Sequence, residues 1–278
     1  MINLEIQVTK AEAFRAMHRG PKVLLLANAW DVASARVFEE AGIGAIATTS
    51  AGIAFGLGYP DGQKISREEM LAVVARIASG VAVPVTADVE AGYGNRPDDA
   101  ARTAQAVIEA DAIGMNLEDG TGDSAHPLTD LALQLEKIAA VVQTGRKAGV
   151  ALVLNARTDV YLRDVGPAER RYGEAVRRLA AFRDAGADCL FAPGLRDSET
   201  IGRLVKDLAF PVNILAGPGS PSIPALEKLG VARVSLGSGP MRASLGLTRR
   251  IAEELKSTGT YNSLEGGIPH AELNRLMG

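Results

Sequence analysis

The chain has 278 residues, 47% of them hydrophobic, with 30 basic against 33 acidic side chains and a formal net charge of -3 at pH 7. That length and apolar content support one large core, and the interspersed, nearly balanced charge excludes the basic stripe that a nucleic-acid binder needs. A single cysteine, Cys189, excludes an intrachain disulfide and a thiolate-rich metal site.

The opening stretch, MINLEIQVTK, has no apolar core behind a positive region and does not read as a secretory leader. No run of about 18 charge-free apolar residues reads as a membrane span. A reducing, cytoplasmic setting without membrane or nucleic-acid partners is expected. Apolar runs then recur eight times: 22–30, 44–50, 81–88, 112–118, 149–157, 187–193, 211–217 and 231–237. They are near-continuous rather than alternating, as in strands covered on both faces. Pro84 falls inside the third run and belongs near that strand's start, where a missing ladder donor costs least.

Amphipathic segments lie between the runs. Ser66 and Glu69 form a capping-box pair that opens a helix, with Gly80 just past its end. Pro97 with Asp98 and Asp99 suits a helix start over 97–111. Helices are also predicted over 129–144, before Gly145, and over 168–185, before Gly186. Eight strand–helix units predict a (β/α)8 barrel, one domain over 1–278. An open doubly wound sheet would place a Gly-rich turn after the first strand; here that run ends in Asn28-Ala29-Trp30-Asp31. Residues 259–278 read as a C-terminal extension, helical and at a subunit interface.

In such a barrel, chemistry gathers at the C-terminal strand ends, and the polar residues fall there. Asp88 and Glu90 follow the third strand and Glu118 the fourth, a hard oxygen set suited to Mg²⁺; as single residues each could be a cap or turn carboxylate. Arg157 ends the fifth strand, where an unpaired charge is unwelcome. It suits a substrate carboxylate or, more plainly, a salt bridge to Glu118 or Asp159. Thr49-Ser50-Ala51-Gly52 offers hydroxyls and turn amides for an anion. Trp30 either walls a ligand pocket or covers the barrel top. Asn213 lies on the seventh strand, His126 in a polar loop as a plain surface histidine or an acid–base group, and Cys189 inside a strand as inert core.

The segments T49-S-A-G52, G58-Y-P-D-G62, A87-D-V-E-A-G-Y-G94, N116-L-E-D119 and N155-A-R-T-D159, in this order, resemble the isocitrate lyase/phosphoenolpyruvate mutase superfamily over nearly the whole chain. The resemblance implies a barrel whose last helix is commonly swapped with a partner, giving a homodimer or homotetramer. It implies Mg²⁺, with Mn²⁺ as an alternative, and a small 2-oxo or 2-hydroxy carboxylate. Carried over residue by residue, it implies metal-site acids at Asp88, Glu90 and Glu118, and an anion-binding turn at Ser50, Ala51 and Gly52 beside Thr49. It further implies a gating-loop aspartate at Asp61, a substrate arginine at Arg157, and ligand packing by Trp30.

The chain departs from the lyases of that superfamily. Their K-[KR]-C-G-H loop is replaced by Asp119-Gly-Thr-Gly-Asp-Ser-Ala-His-Pro127, without cysteine or lysine, and the mutase's loop lysines and asparagine are absent too. Glu90 stands where many members carry aspartate. The expected activity is Mg²⁺-dependent C–C bond cleavage through a pyruvate-type enolate. Glu118, Asp61 and His126 are the catalytic candidates beside Arg157, and Asn213 adds to the substrate set. The alternatives are P–C bond chemistry of the phosphonopyruvate hydrolase or mutase kind, and a 2-oxo acid binder without catalysis.

Overall fold

A computed structural model describes residues 4–278; residues 1–3, where the opening stretch begins, lie outside the described residues. Eight parallel strands close into a barrel in sequence order. They are β1 (Leu24–Ala29), β2 (Ile46–Thr48), β3 (Val85–Asp88), β4 (Gly114–Glu118), β5 (Val153–Arg157), β6 (Cys189–Phe191), β7 (Val212–Leu215) and β8 (Arg233–Ser235). Each lies inside one of the eight apolar runs. Pro84 directly precedes β3, and its carbonyl accepts from the Ile46 amide at 2.9 Å.

Helices wrap the barrel: α1 (Leu4–Met17), α2 (Val32–Glu40), α3 (Ser50–Gly56), α4 (Arg67–Gly80), α5 (Pro97–Glu109), α6 (Leu131–Ala148), α7 (Ala168–Asp184), α8 (Ser198–Leu208), α9 (Ile223–Lys228), α10 (Gly239–Ser257) and α11 (His270–Met277). The Ser66–Glu69 capping box opens α4 as expected. Of two glycines expected just past helix ends, one closes its helix and the other lies within one. Gly80 is the last residue of α4, and a Cβ there would stand 2.7 Å from Cγ1 of Val32. Gly145 lies inside α6, where a Cβ would sit 3.0 Å from the Val150 carbonyl. Both are glycine because a neighbour packs too closely for any side chain. The helix ends instead at Gly149, at φ 71°.

Helix α1, which the sequence reading did not single out, closes the floor of the barrel. Phe14 is fully buried, and its ring edge would touch any Cβ on Gly114, the first residue of β4. Arg15 donates to the carbonyls of Ala151 and Leu152 and pairs with Asp188 at 3.0 Å. At the other end of the chain, α10 buries only Met241. Beyond it α11 lies against α2: Arg36 donates to the Leu276 carbonyl and Arg275 pairs with Glu40. Among the described residues no helix is long and apolar enough to cross a membrane.

Candidate active site

The strand ends deliver most of the expected polar residues to one mouth. The side chain of Asp88 is held firmly. Ser50 donates to its Oδ2 from both backbone N–H (3.0 Å) and hydroxyl (2.8 Å), and the Asp88 amide donates to Thr48 Oγ1 at 2.9 Å. Asn116 approaches its other oxygen at 3.4 Å. Ser50 is available because α3 starts here. Thr49 caps that helix by accepting from Gly52 at 3.2 Å, and Gly52 is forced: a Cβ would stand 2.5 Å from Thr49 Cγ2 and 3.1 Å from Trp30 Cβ. The turn expected to meet an anion therefore already meets one, the Asp88 carboxylate.

Glu90 sits one residue beyond, with φ at 51°, and Tyr93 follows at 57°. Non-glycine residues at positive φ cost energy and cluster at functional sites. Glu90 is buried; its Oε2 accepts from the Gln63 amide at 2.6 Å, while its Oε1 is buried without a partner. Burial, then the charges of Asp88 and Asp61, push its carboxyl up to about 7. Gln63 also accepts from the Tyr93 amide at 2.7 Å. The segment carrying Asp61 is thereby tied down over the mouth, and Asp61 is raised by partial burial and by Asp88. Below the loop, the buried Lys137 of α6 donates to the carbonyls of Ala91 (2.6 Å) and Gly94 (3.2 Å), fixing the turn after Glu90.

Arg157 makes both salt bridges foreseen for it. Its Nη1 lies 2.6 Å from Glu118, and its Nε and Nη2 lie 2.6 and 3.1 Å from the two oxygens of Asp159. Burial works against its charge, but Glu118 and Asp159 prevail and raise its pKa. Burial pushes Glu118 well above the usual carboxylate range while Arg157 pulls it back. Asp159 also holds Arg163 at 3.0 Å. Behind it, Asp119 accepts from Thr158 (2.7 Å), the Asp159 amide (2.9 Å) and Arg178 (3.1 Å), and burial pushes it up to about 6.

Arg178 and Lys137 escaped the sequence reading, although a signal was there. Each occupies an apolar position of its helix: Arg178 falls in line with Ala175, Leu179 and Phe182, and Lys137 with Ile138 and Val141. A cation on a core-facing stripe announces a buried partner.

His126 is exposed on the loop after β4 and contacts Asp123 at 3.3 Å. Asn213 is buried in a reciprocal pair with Ser235, at 3.1 Å one way and 3.3 Å the other. Trp30 lines a cavity of about 530 Å³ with Ile53, Leu57, Met241 and Met277. Cys189 is buried in β6, and the loop of 119–127 carries no cysteine.

Among the described residues no three His, Cys, Asp or Glu side chains are grouped to hold a metal ion directly. The residues present still fit a hard cation: Asp88, Glu90 and Glu118 offer carboxylate oxygens, one buried Glu90 oxygen is unpaired, and neighbouring acids raise Glu90.

The phosphoenolpyruvate phosphomutase family model matches residues 14–256, and the chain belongs to that family. An uncharacterized protein of Mycobacterium tuberculosis H37Rv is 35% identical, covering 95% of this chain and 96% of its own length. A phosphonopyruvate hydrolase of Variovorax sp. Pal2 is 26% identical over 98% of this chain and 96% of itself. Among solved structures, a lyase/mutase-like protein of Burkholderia cenocepacia J2315 superimposes with a TM-score of 0.92 at 38% identity, covering 98% of this chain and 96% of that one. An oxaloacetate acetylhydrolase in complex with its product oxalate gives a TM-score of 0.86 at 26% identity, covering 98% and 94%. The chain thus stands in a superfamily of enzymes that make or break C–C or P–C bonds in small carboxylates.

Proposed function

We propose that the protein binds a small 2-oxo or 2-hydroxy carboxylate at the barrel mouth and breaks the bond beside its pyruvate-type enolate. The observation that carries this is Arg157. It is a charged, half-buried guanidinium with three of its five N–H donors committed to Glu118 and Asp159 and two left uncommitted. Developing enolate charge would be met by this preorganised donor in a site of low dielectric. Asp88 and Glu90 would hold Mg²⁺, or Mn²⁺ in its place, with water completing the coordination and Glu118 close by. When bound, the ion supplies Lewis-acid polarisation of the oxo and carboxylate oxygens. The Ser50–Gly52 turn would orient the substrate beside Asp88. Asp61, on a segment latched through Gln63, would exclude water. Glu118 and Asp61 are the acid–base candidates within the mouth; His126 would have to swing inward.

A P–C substrate of the phosphonopyruvate kind is better supported than the C–C substrate expected from sequence. The matching family model is that of a phosphomutase, and a relative aligned over nearly the full chain is a phosphonopyruvate hydrolase. The C–C reading is kept because the oxaloacetate acetylhydrolase shares the whole fold. The test is pyruvate release, with and without Mg²⁺, from phosphonopyruvate, oxaloacetate, methylisocitrate and dimethylmalate, with oxalate release from oxaloacetate followed alongside. Metal-dependent release from phosphonopyruvate is expected. Release from a C–C substrate alone would transfer the assignment. Oxo-acid binding without turnover would make the protein a binder, and an Asp88→Ala variant with unchanged turnover and Mg²⁺ affinity would end the metal assignment.

We also propose a homodimer or homotetramer with 259–278 at its interface. The exposed leucines 245, 247 and 255 of α10 support this. An unchanged oligomer after deletion of 259–278 would end that proposal.

A further inference from the structure

Arg233 is the largest fully buried side chain among the described residues. It opens β8, paired in register with Leu24 of β1 and Asn213 of β7, and crosses the barrel interior to β4. Its hydrogen-bond and ring partners are neutral, and the Asp88 charge acts on it only through space. Nη1 lies 3.4 Å from Nε2 of His18, Nη2 donates to Oδ1 of Asn116 at 3.5 Å, and the guanidinium stands 6.0 Å from the Phe14 ring centroid. Its Nε has no partner. His18 Nδ1 lies 2.9 Å from the Phe14 carbonyl, which can only accept. The imidazole proton is therefore on Nδ1, and Nε2 accepts from Arg233. Burial, then the Arg233 charge, push His18 down to about 3, so it does not compete for that role. Burial lowers Arg233 itself to about 10, which leaves it charged at neutral pH.

A buried cation without an ion-pair partner is costly. What this one does is visible at Asn116. The Oδ1 of Asn116 accepts from Asn155 at 2.7 Å as well as from Arg233. With its oxygen claimed twice, the amide can only turn its Nδ2 toward Asp88, whose Oδ1 is 3.4 Å away. Asp88 is then gripped on one oxygen by Ser50 and approached on the other by Asn116.

We propose that Arg233 is a positioning residue: from the floor of the barrel it fixes the Asn116 amide and thereby the orientation of Asp88 at the mouth. The inference rests on the proposed function in one respect, that Asp88 belongs to the ligand-binding machinery.

The test pairs two readouts. One is oxalate affinity by calorimetry with Mg²⁺ present. The other is hydrogen exchange of the Asn116 side-chain amide, followed by NMR on asparagine-labelled protein. Arg233→Met is expected to weaken oxalate binding about 10-fold or more, the range for residues that orient ligating groups, and to lose the amide protection. Asn116→Ala should weaken oxalate similarly, and the double variant should be no weaker than Asn116→Ala, because the two act in series. Arg233→Lys keeps the charge but not the fork; it serves where Arg233→Met fails to fold, and the same two losses are expected. A lowered melting temperature with wild-type oxalate affinity and a protected amide would reduce Arg233 to a structural role and overturn the proposal. If the wild-type protein binds no oxalate with Mg²⁺, the functional reading fails by itself. The amide readout then decides for Arg233: protection lost in the variants upholds the proposal, and protection retained overturns it.

Discussion

At its mouth the barrel concentrates acids and tolerates strained backbone, whereas its floor buries Arg233 among neutral partners beneath helix α1. Charge at the mouth is organised as a ladder, from Glu118 through Arg157 and Asp159 to Arg163, with Asp119 and Arg178 behind it. At the floor, Arg233 is surrounded by His18, Asn116 and Phe14. The mouth spends stability on preorganised charge, and the floor supplies packing that keeps those charges in place. Substitutions at the two ends should therefore separate activity from stability.

The largest effect is expected at the ladder. Arg157→Ala leaves Glu118 buried without its cation and Asp159 with Arg163 alone, which should cost about 3–5 kcal/mol and abolish turnover. Denaturant unfolding with an assay of the identified substrate checks both, and a stable, active variant would break the contrast. At the floor, Phe14→Ala should cost a comparable 3–5 kcal/mol through the cavity it leaves. Its unfolding midpoint should fall far more than its kcat.

The next effect is pH dependence in the metal-free protein. The Glu90 carboxyl is raised from 4.5 to about 7, so the folded state holds its proton where the unfolded state has lost it. Stability from this group is present below about pH 4.5 and is lost as pH rises through 7, an amount on the order of 2–3 kcal/mol. Glu90→Gln should flatten that slope in part, because Asp119, raised to about 6, acts in the same direction over a lower window. An unaltered slope would show that Glu90 does not hold its proton in the folded protein. The smallest effect is expected away from both ends. Ser66→Ala removes the α4 capping box and should cost about 1 kcal/mol with turnover unchanged, as paired melting and activity measurements would show.

Local signals made much of this legible. The eight apolar runs contain all eight strands, because a strand buried on both faces must be apolar along its length. The strand-end acids and Arg157 were readable because a barrel strand delivers its last residues to the mouth. Three features were hidden by non-local causes. Gly145 reads as a stop signal, yet it lies inside α6 and is set by the chain entering β5. Asp88 was read as a metal-site acid and Ser50 as part of an anion-binding turn, but that Ser50, distant in sequence, grips Asp88 was not readable. Arg233 looks like a polar break in an otherwise apolar run, and only barrel closure brings it to Asn116.

The lone thiol offers a way to time the opening of this architecture. Cys189 opens β6 in the barrel wall, fully buried, with its pKa pushed up to about 12 by burial. A reagent such as a maleimide can reach it only when β6 parts from its neighbours. One chain carries one such group, so the rate at which intact protein gains a single adduct counts barrel-opening events directly. Repeating that count with oxalate and Mg²⁺ bound would show whether a ligand at the mouth slows the breathing of the wall beneath it.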